Sequence, residues 1–160
     1  MVVGSQAILG THESPPEAML QSLEADIYPL KDPGAADLID GALGDGSPFH
    51  LAFGYYAHGV GPETAKAPRG WQERLVKREI SPRPGSGGGG AIVAWCLEAH
   101  DLVLAKCVAG RARDWDYAKV ALQAGIVSHE VLLRRSRELP VIDDAQEQIE
   151  QSVRAIALAS

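Results

Sequence analysis

Between Leu23 and Tyr28 apolar and acidic residues alternate strictly, Leu-Glu-Ala-Asp-Ile-Tyr, and Pro29 ends the run. A period of two is that of a β-strand with unlike faces. It sets Glu24 and Asp26 on one face, roughly 6–7 Å apart along the chain. Two carboxylates so close repel each other, and folding gives no reason to place them between Leu23 and Ile27. Either this is the solvent face of an edge strand, or a divalent cation resolves the conflict. Mg²⁺ (or Mn²⁺) takes oxygen ligands, commonly one or two carboxylates plus waters and substrate phosphates, and suits the second reading.

The rest of the chain must build a domain around that strand. With 160 residues there is core enough for one domain. Met1-Val2-Val3 is a short β-branched stub, Gln6–Gly10 a short helix, and Glu17–Ser22 one or two helical turns. Gly34–Leu43 reads as a helix with Asp32 as its cap and Pro33 at its start. Phe49–Val60 reads as a helical turn followed by a strand through Tyr55–Val60. Arg74–Ile80 reads as a strand near an edge and Ala91–Leu97 as a more central one. The stretch Pro82–Gly90 is rich in glycine and reads as a hairpin connection, since it lacks the Gly-Lys-Ser/Thr ending of a phosphate loop.

From Asp101 onward the pattern is helical, with Leu102, Ala105, Val108 and Ala109 as one apolar stripe. Gly110 breaks that helix and Asp114 restarts it toward Ala124. Ser128 caps a third helix, and Asp143 or Asp144 a last one with Ile149, Val153 and Ile156 on one face. The expectation is an α/β (α+β) class in a single domain over 1–160: a sheet-bearing core in 1–98, then C-terminal helices in 99–160.

The formal charge of −6 excludes a generally basic nucleic-acid binder, yet the charge is unevenly spread. Residues 1–60 hold one base, Lys31, against eight acids, whereas residues 61–137 hold thirteen bases against eight acids. An acidic first third and a basic middle suit metal held beside an anionic ligand, although two solvated faces of opposite sign would read the same way. Cys96 and Cys107 are too few for a disulfide framework or a zinc site and read as buried free thiols. No apolar run approaches the ~18 residues of a membrane span, and no signal-peptide layout is present, so the expected location is cytoplasmic with no membrane contact.

Gly4-Ser5 follows the stub directly and opens a helix. A glycine there lets a ligand approach the backbone, and helix amides with the Ser5 hydroxyl can hold a phosphate. Strand-Gly-Ser-helix, followed some twenty residues later by an acid-x-acid strand, resembles the signature of the nucleotidyltransferase superfamily. A second segment, His100–Asp116, resembles the "dLxxxKxxAgRxrDxxD" stretch of the AbiEii-like branch of toxin nucleotidyltransferases and of related bacterial families. Leu23–Tyr28, Ser47–His50, Phe53–Thr64 and Gly70-Trp71 resemble the same group, and together the resemblance covers roughly residues 1–125.

That resemblance implies a nucleotidyltransferase fold with a short mixed sheet and Mg²⁺-dependent transfer of a nucleotidyl group to an acceptor hydroxyl or phosphate, on RNA or protein. It implies that Gly4, Ser5 and Lys106 bind the nucleoside triphosphate and that Glu24 and Asp26 bind the metal. Glu24, Asp26, Lys106 and Asp114 would then be catalytic, with Asp114 orienting Lys106 or the acceptor. The family's usual third carboxylate has no clear counterpart: Phe53–Val60 offers His58 instead, while Glu79 and Glu98 fall out of register. Two other functions therefore stand beside transfer. One is a non-catalytic nucleotide-binding protein, such as a toxin–antitoxin component with an antitoxin partner. The other is an RNA-binding adaptor using Arg111, Arg113, Lys119, Arg134, Arg135 and Arg137. The five histidines lack metal-ligand spacing and read as structural, and Asp37 and Asp40 read as solvated.

Overall fold

The computed structural model describes residues 1–61, 63–81 and 92–158. The acid-alternating segment forms strand β1 (Glu24–Ile27) and the segment after the Phe49 region forms β2 (Tyr56–Gly59). They pair in parallel, Glu24 opposite Tyr56 and Asp26 opposite His58. Strands β3 (Val76–Ile80) and β4 (Ile92–Cys96) pair antiparallel. The connection at 82–90, a hairpin link by its composition, lies outside the described residues. Arg74 belongs to a 3₁₀ turn, Trp71–Arg74, so the β3 strand is shorter than its sequence pattern suggests.

The three-residue stub unites the two ladders. Val2 bridges Ile27 antiparallel and Cys96 in parallel. Its N–H donates to Trp95 O at 2.7 Å, and its carbonyl accepts from Leu97 N at 3.0 Å. On the other side Val3 N–H donates to Asp26 O at 3.0 Å and Tyr28 N–H to Met1 O at 2.8 Å. The order is β2–β1–stub–β4–β3, a mixed array with β3 on its rim. Lys77 and Glu79, which pair with each other on β3, fit the charge expected on an open edge.

Seven α-helices occur among the described residues: α1 (Ile8–Thr11), α2 (Ala36–Leu43), α3 (Pro48–Phe53), α4 (Ala99–Ala109), α5 (Ala112–Gln123), α6 (His129–Ser136) and α7 (Asp143–Leu158). With the sheet they make a mixed α and β architecture. The crossover between the parallel strands β1 and β2 runs through α2 and α3, as a parallel connection requires. Ser47 caps α3 by accepting His50 N–H, and Pro48 takes the first helical position. Among the described residues no helix is long and apolar enough to cross a membrane.

Helix α4 is the hub. Leu102, Val103, Leu104 and Cys107 are buried together with Ile8, Leu97, Ala118, Leu132 and Val153. The single apolar stripe expected on it is therefore a correction: α4 meets neighbours around most of its circumference, because α5, α6 and α7 all pack on it. It also begins before Asp101, at Ala99, where the Glu98 carboxylate accepts His100 N–H. Gly110 ends it with φ 69°, a left-handed geometry that suits glycine. Three caps differ from the sequence expectation. Asp143 and Asp144 both lie inside α7, which starts after Ile142. Asp32 makes no side-chain cap, and the Ser128 hydroxyl caps nothing, its backbone N–H donating instead to His100 Nε2.

Where the hub enters the fold, charge is buried. Asp101, fully enclosed, accepts Arg74 Nε at 2.7 Å and Arg135 Nη1 at 3.0 Å. Arg135 also reaches Glu98, which pairs with His100 at 2.7 Å. Arg74 further donates to the carbonyls of Pro68 and Arg69. One clasp thus ties the 3₁₀ turn, the start of α4 and the end of α6. Burial alone would raise the Glu98 pKa, but the bonds from His100 and Arg135 bring it down to about 2.

Candidate functional site

A cleft of about 780 Å³ opens between the β1 face and the helices α4 and α5. Gly4, Ser5, Glu24, Asp26, His58, Lys106, Arg111 and Arg113 line it. The strand alternation turns Glu24 and Asp26 to the same side, as the spacing predicts. The parallel register then brings His58 alongside them, with Nδ1 at 3.1 Å from Glu24 Oε1 and 3.5 Å from Asp26 Oδ1. One ligand atom from each of the three lies within 4.8 Å of the others. The field of the pair is felt by the neighbouring Tyr56, whose hydroxyl pKa is raised chiefly by Glu24.

Gly4 stands against this cluster. A Cβ built there would come 1.9 Å from Asp26 Oδ2 and 3.0 Å from its Cβ. The glycine is required for close approach, since its φ of −81° is open to any residue. Gly4→Ala is expected to leave the fold intact and to push the Asp26 carboxylate aside, and a divalent cation held by the cluster would then bind about tenfold more weakly. Calorimetry of the cation checks this, with thermal melting as the control.

The opposite wall is cationic. Lys106 Nζ donates to Ser5 Oγ at 2.8 Å and lies 3.5 Å from Asp114 Oδ1. It also sits 4.5 Å from the centre of the Tyr117 ring, whose hydroxyl donates to Ser5 O at 3.3 Å. Asp114 is buried and held by Arg111 Nε at 2.7 Å. Lys106 and Asp114 meet because Gly110 folds the chain back between α4 and α5, not because one helix runs through both. Burial lowers the Lys106 pKa, with the Asp114 charge opposing. Burial alone would raise the Asp114 pKa, but the Arg111 hydrogen bond and the Lys106 charge outweigh it and hold the carboxyl below its usual range. The wall therefore keeps a desolvated ammonium aimed at the cleft.

At the Gly4-Ser5 turn the phosphate expectation is corrected in one part. The turn after Gly4 is a single 3₁₀ turn, Ser5–Ala7, followed by the four-residue α1. So short a helix offers little dipole, and the groups at this end that could meet an anion are Lys106, the Ser5 hydroxyl and the arginines. Asp40 is exposed, as expected, and its carboxylate also accepts Gly59 N–H at 2.7 Å, clamping α2 to the end of β2. His50 is structural, pairing with Asp45. The place facing the acids belongs to His58. Glu79 is on the rim strand with Lys77, and Glu98 is in the clasp.

Histidine spacing along the chain does not single out His58, which the sequence offers only as the residue standing in for a third carboxylate. The usable signal is the pairing of two predicted strands. Cys96 and Cys107 are both buried and free, and burial raises both, Cys107 to about 12, which favours the protonated thiol at each. Of the six bases offered as an RNA face, Arg135 is turned inward to the clasp, whereas Arg111 pairs with Asp114 but stays exposed at the cleft.

Two carboxylates and an imidazole facing a cleft rimmed by cations form a donor set suited to one divalent ion with open positions for a phosphate ligand. Comparison with protein-family models, with curated proteins and with solved structures finds no match to this chain.

Proposed function

We propose that this cleft binds a nucleoside triphosphate with a divalent cation and transfers its nucleotidyl group to an acceptor hydroxyl or phosphate, on a nucleotidyltransferase-type fold. One observation carries the reading: the Gly4-Ser5 turn, the acid pair of β1 and Lys106 converge on a single cleft, although Ser5 and Lys106 are 101 positions apart in the chain. Its volume falls within the usual range of small-molecule sites, roughly 300–1,000 Å³.

In this reading Glu24 and Asp26 hold the cation, Mg²⁺ or Mn²⁺. A bound ion would neutralise charge on the attacking and leaving oxygens of an in-line displacement. Lys106 and the Ser5 hydroxyl bind phosphate oxygens, and Asp114 positions Lys106 from behind. Arg111 and Arg113 line the mouth, where an anionic acceptor on RNA or protein would pass. The acceptor oxygen forms its bond to the α-phosphorus as pyrophosphate departs.

The test is calorimetric titration with a nonhydrolysable triphosphate, with and without the cation. The cation is expected to tighten binding by about tenfold or more, as a shared ion between carboxylates and phosphate requires. Binding unaffected by the cation counts against the reading. A second reading, nucleotide binding without turnover as in a toxin–antitoxin component, draws on His58 standing where a third carboxylate would be expected. Pyrophosphate release from a hydrolysable triphosphate separates the two.

A further inference from the structure

Building on that reading of the cleft, we propose that His58 is the third ligand of the cation held by Glu24 and Asp26, and that it makes the site select Mn²⁺ over Mg²⁺. Neighbouring ligands of an octahedral ion with bonds of about 2.1 Å stand ~3 Å apart. The separations of His58 Nδ1 from Glu24 Oε1 and Asp26 Oδ1, 3.1 and 3.5 Å, are of that size. The placement is built into the backbone, because His58 is the direct partner of Asp26 in the parallel ladder. Gly4 pressed against Asp26 fixes the other side of the same cluster.

The chemistry of the third donor decides the ion. Carboxylates serve Mg²⁺ and Mn²⁺ alike, whereas an imidazole suits first-row transition ions, and Mn²⁺, the weakest binder of that row, still takes a nitrogen ligand more readily than Mg²⁺ does. Mg²⁺ asks for near-ideal octahedral oxygen coordination and gives up water reluctantly. Mn²⁺ accepts both oxygen and imidazole nitrogen, and still leaves positions for triphosphate oxygens. Three carboxylates would have left the choice open. One imidazole tilts it.

The experiment titrates the full chain with Mn²⁺, followed by electron paramagnetic resonance, and with Mg²⁺, followed by calorimetry. His58→Ala and His58→Asp are compared with the parent chain. His58 is half-exposed, so both variants are expected to melt near the parent temperature. Mn²⁺ is expected to bind about tenfold tighter than Mg²⁺, and His58→Ala to weaken Mn²⁺ by about tenfold while moving Mg²⁺ less than about threefold. His58→Asp is expected to close the gap between the ions. Pulsed resonance should show nitrogen coupling to bound Mn²⁺ in the parent chain and none in His58→Ala.

If His58 is only an ion-pair partner of the acids, His58→Ala leaves Mn²⁺ binding unchanged or tighter, and the proposal falls. Absence of nitrogen coupling in the parent chain overturns it equally. In either case, a triphosphate still tightened by cation leaves the nucleotidyl-transfer reading standing. If no cation binds and none tightens the triphosphate, both fall.

Discussion

Replacing Lys106 by methionine is expected to weaken binding of a nonhydrolysable triphosphate by about 10- to 100-fold, the worth of a charge-assisted hydrogen bond of about 1.5–3 kcal/mol. The side chain is only 14% exposed, so its ammonium reaches a phosphate with little water to compete. Stability is expected to change little. Burial makes the ammonium costly to the fold, and Asp114 keeps its closer partner Arg111. Binding should also depend on pH. The Lys106 pKa lies below its ordinary 10.5, so affinity is present at neutral pH and fades as pH rises toward 10.5, with the fade beginning earlier than for an ordinary lysine. The folded state holds this proton less tightly than the unfolded chain, so stability rises with pH between the lowered value and 10.5. In Lys106→Met the share of both dependences that this ammonium carries is lost. Calorimetry of the triphosphate over a pH series checks the first, and chemical denaturation over the same series the second. An unaltered affinity would assign Lys106 a structural role.

The largest loss of stability is expected from Asp101→Ala, about 3–5 kcal/mol, as when one partner of a buried ion pair is removed. Asp101 is fully enclosed and accepts from Arg74 and Arg135 together. Its removal leaves two guanidinium groups with reduced partnering at the base of α4, and the melting temperature should fall by roughly 10 °C. Replacing the surface residue Glu130 in the same way should cost little. The clasp also has an acid limit. Glu98 is depressed to about 2 from 4.5, so its contribution is complete above pH 4.5 and drains away as the pH falls toward 2. Denaturation midpoints measured across that window check this, and Arg135→Met should flatten the fall.

The acid strand is legible in the sequence because alternation is a local signal, and it settles which way Glu24 and Asp26 face. Gly4-Ser5 is legible as a turn, yet its value to the site comes from contact with Asp26, which only strand pairing creates. Periodicity does not say which way Lys106 points, because α4 is buried on most sides and its amphipathic stripe is faint. The contacts of His58 and Asp40 are hidden for one reason. Their partners lie on other elements, at Asp26 and Gly59, and no periodicity along a single segment reports them. Arg135 looks like part of a basic surface until Glu98 and Asp101 are seen to stand beneath it.

The stub between the ladders has a consequence for how the protein is made. Residues 1–3 leave the ribosome ahead of everything they pair with, and β1 soon follows to cover one side of them. Cys96, the partner on their other side, emerges only much later in synthesis. Until then the stub is an open strand edge, and closing it is a long-range step of the kind that slows folding and exposes nascent chains to aggregation. The same closure brings Gly4-Ser5 to the helices that carry Lys106. Late completion of the sheet and late appearance of the proposed triphosphate site should therefore be one kinetic event: refolding followed by triphosphate binding and by burial of Cys96 should give a single rate constant.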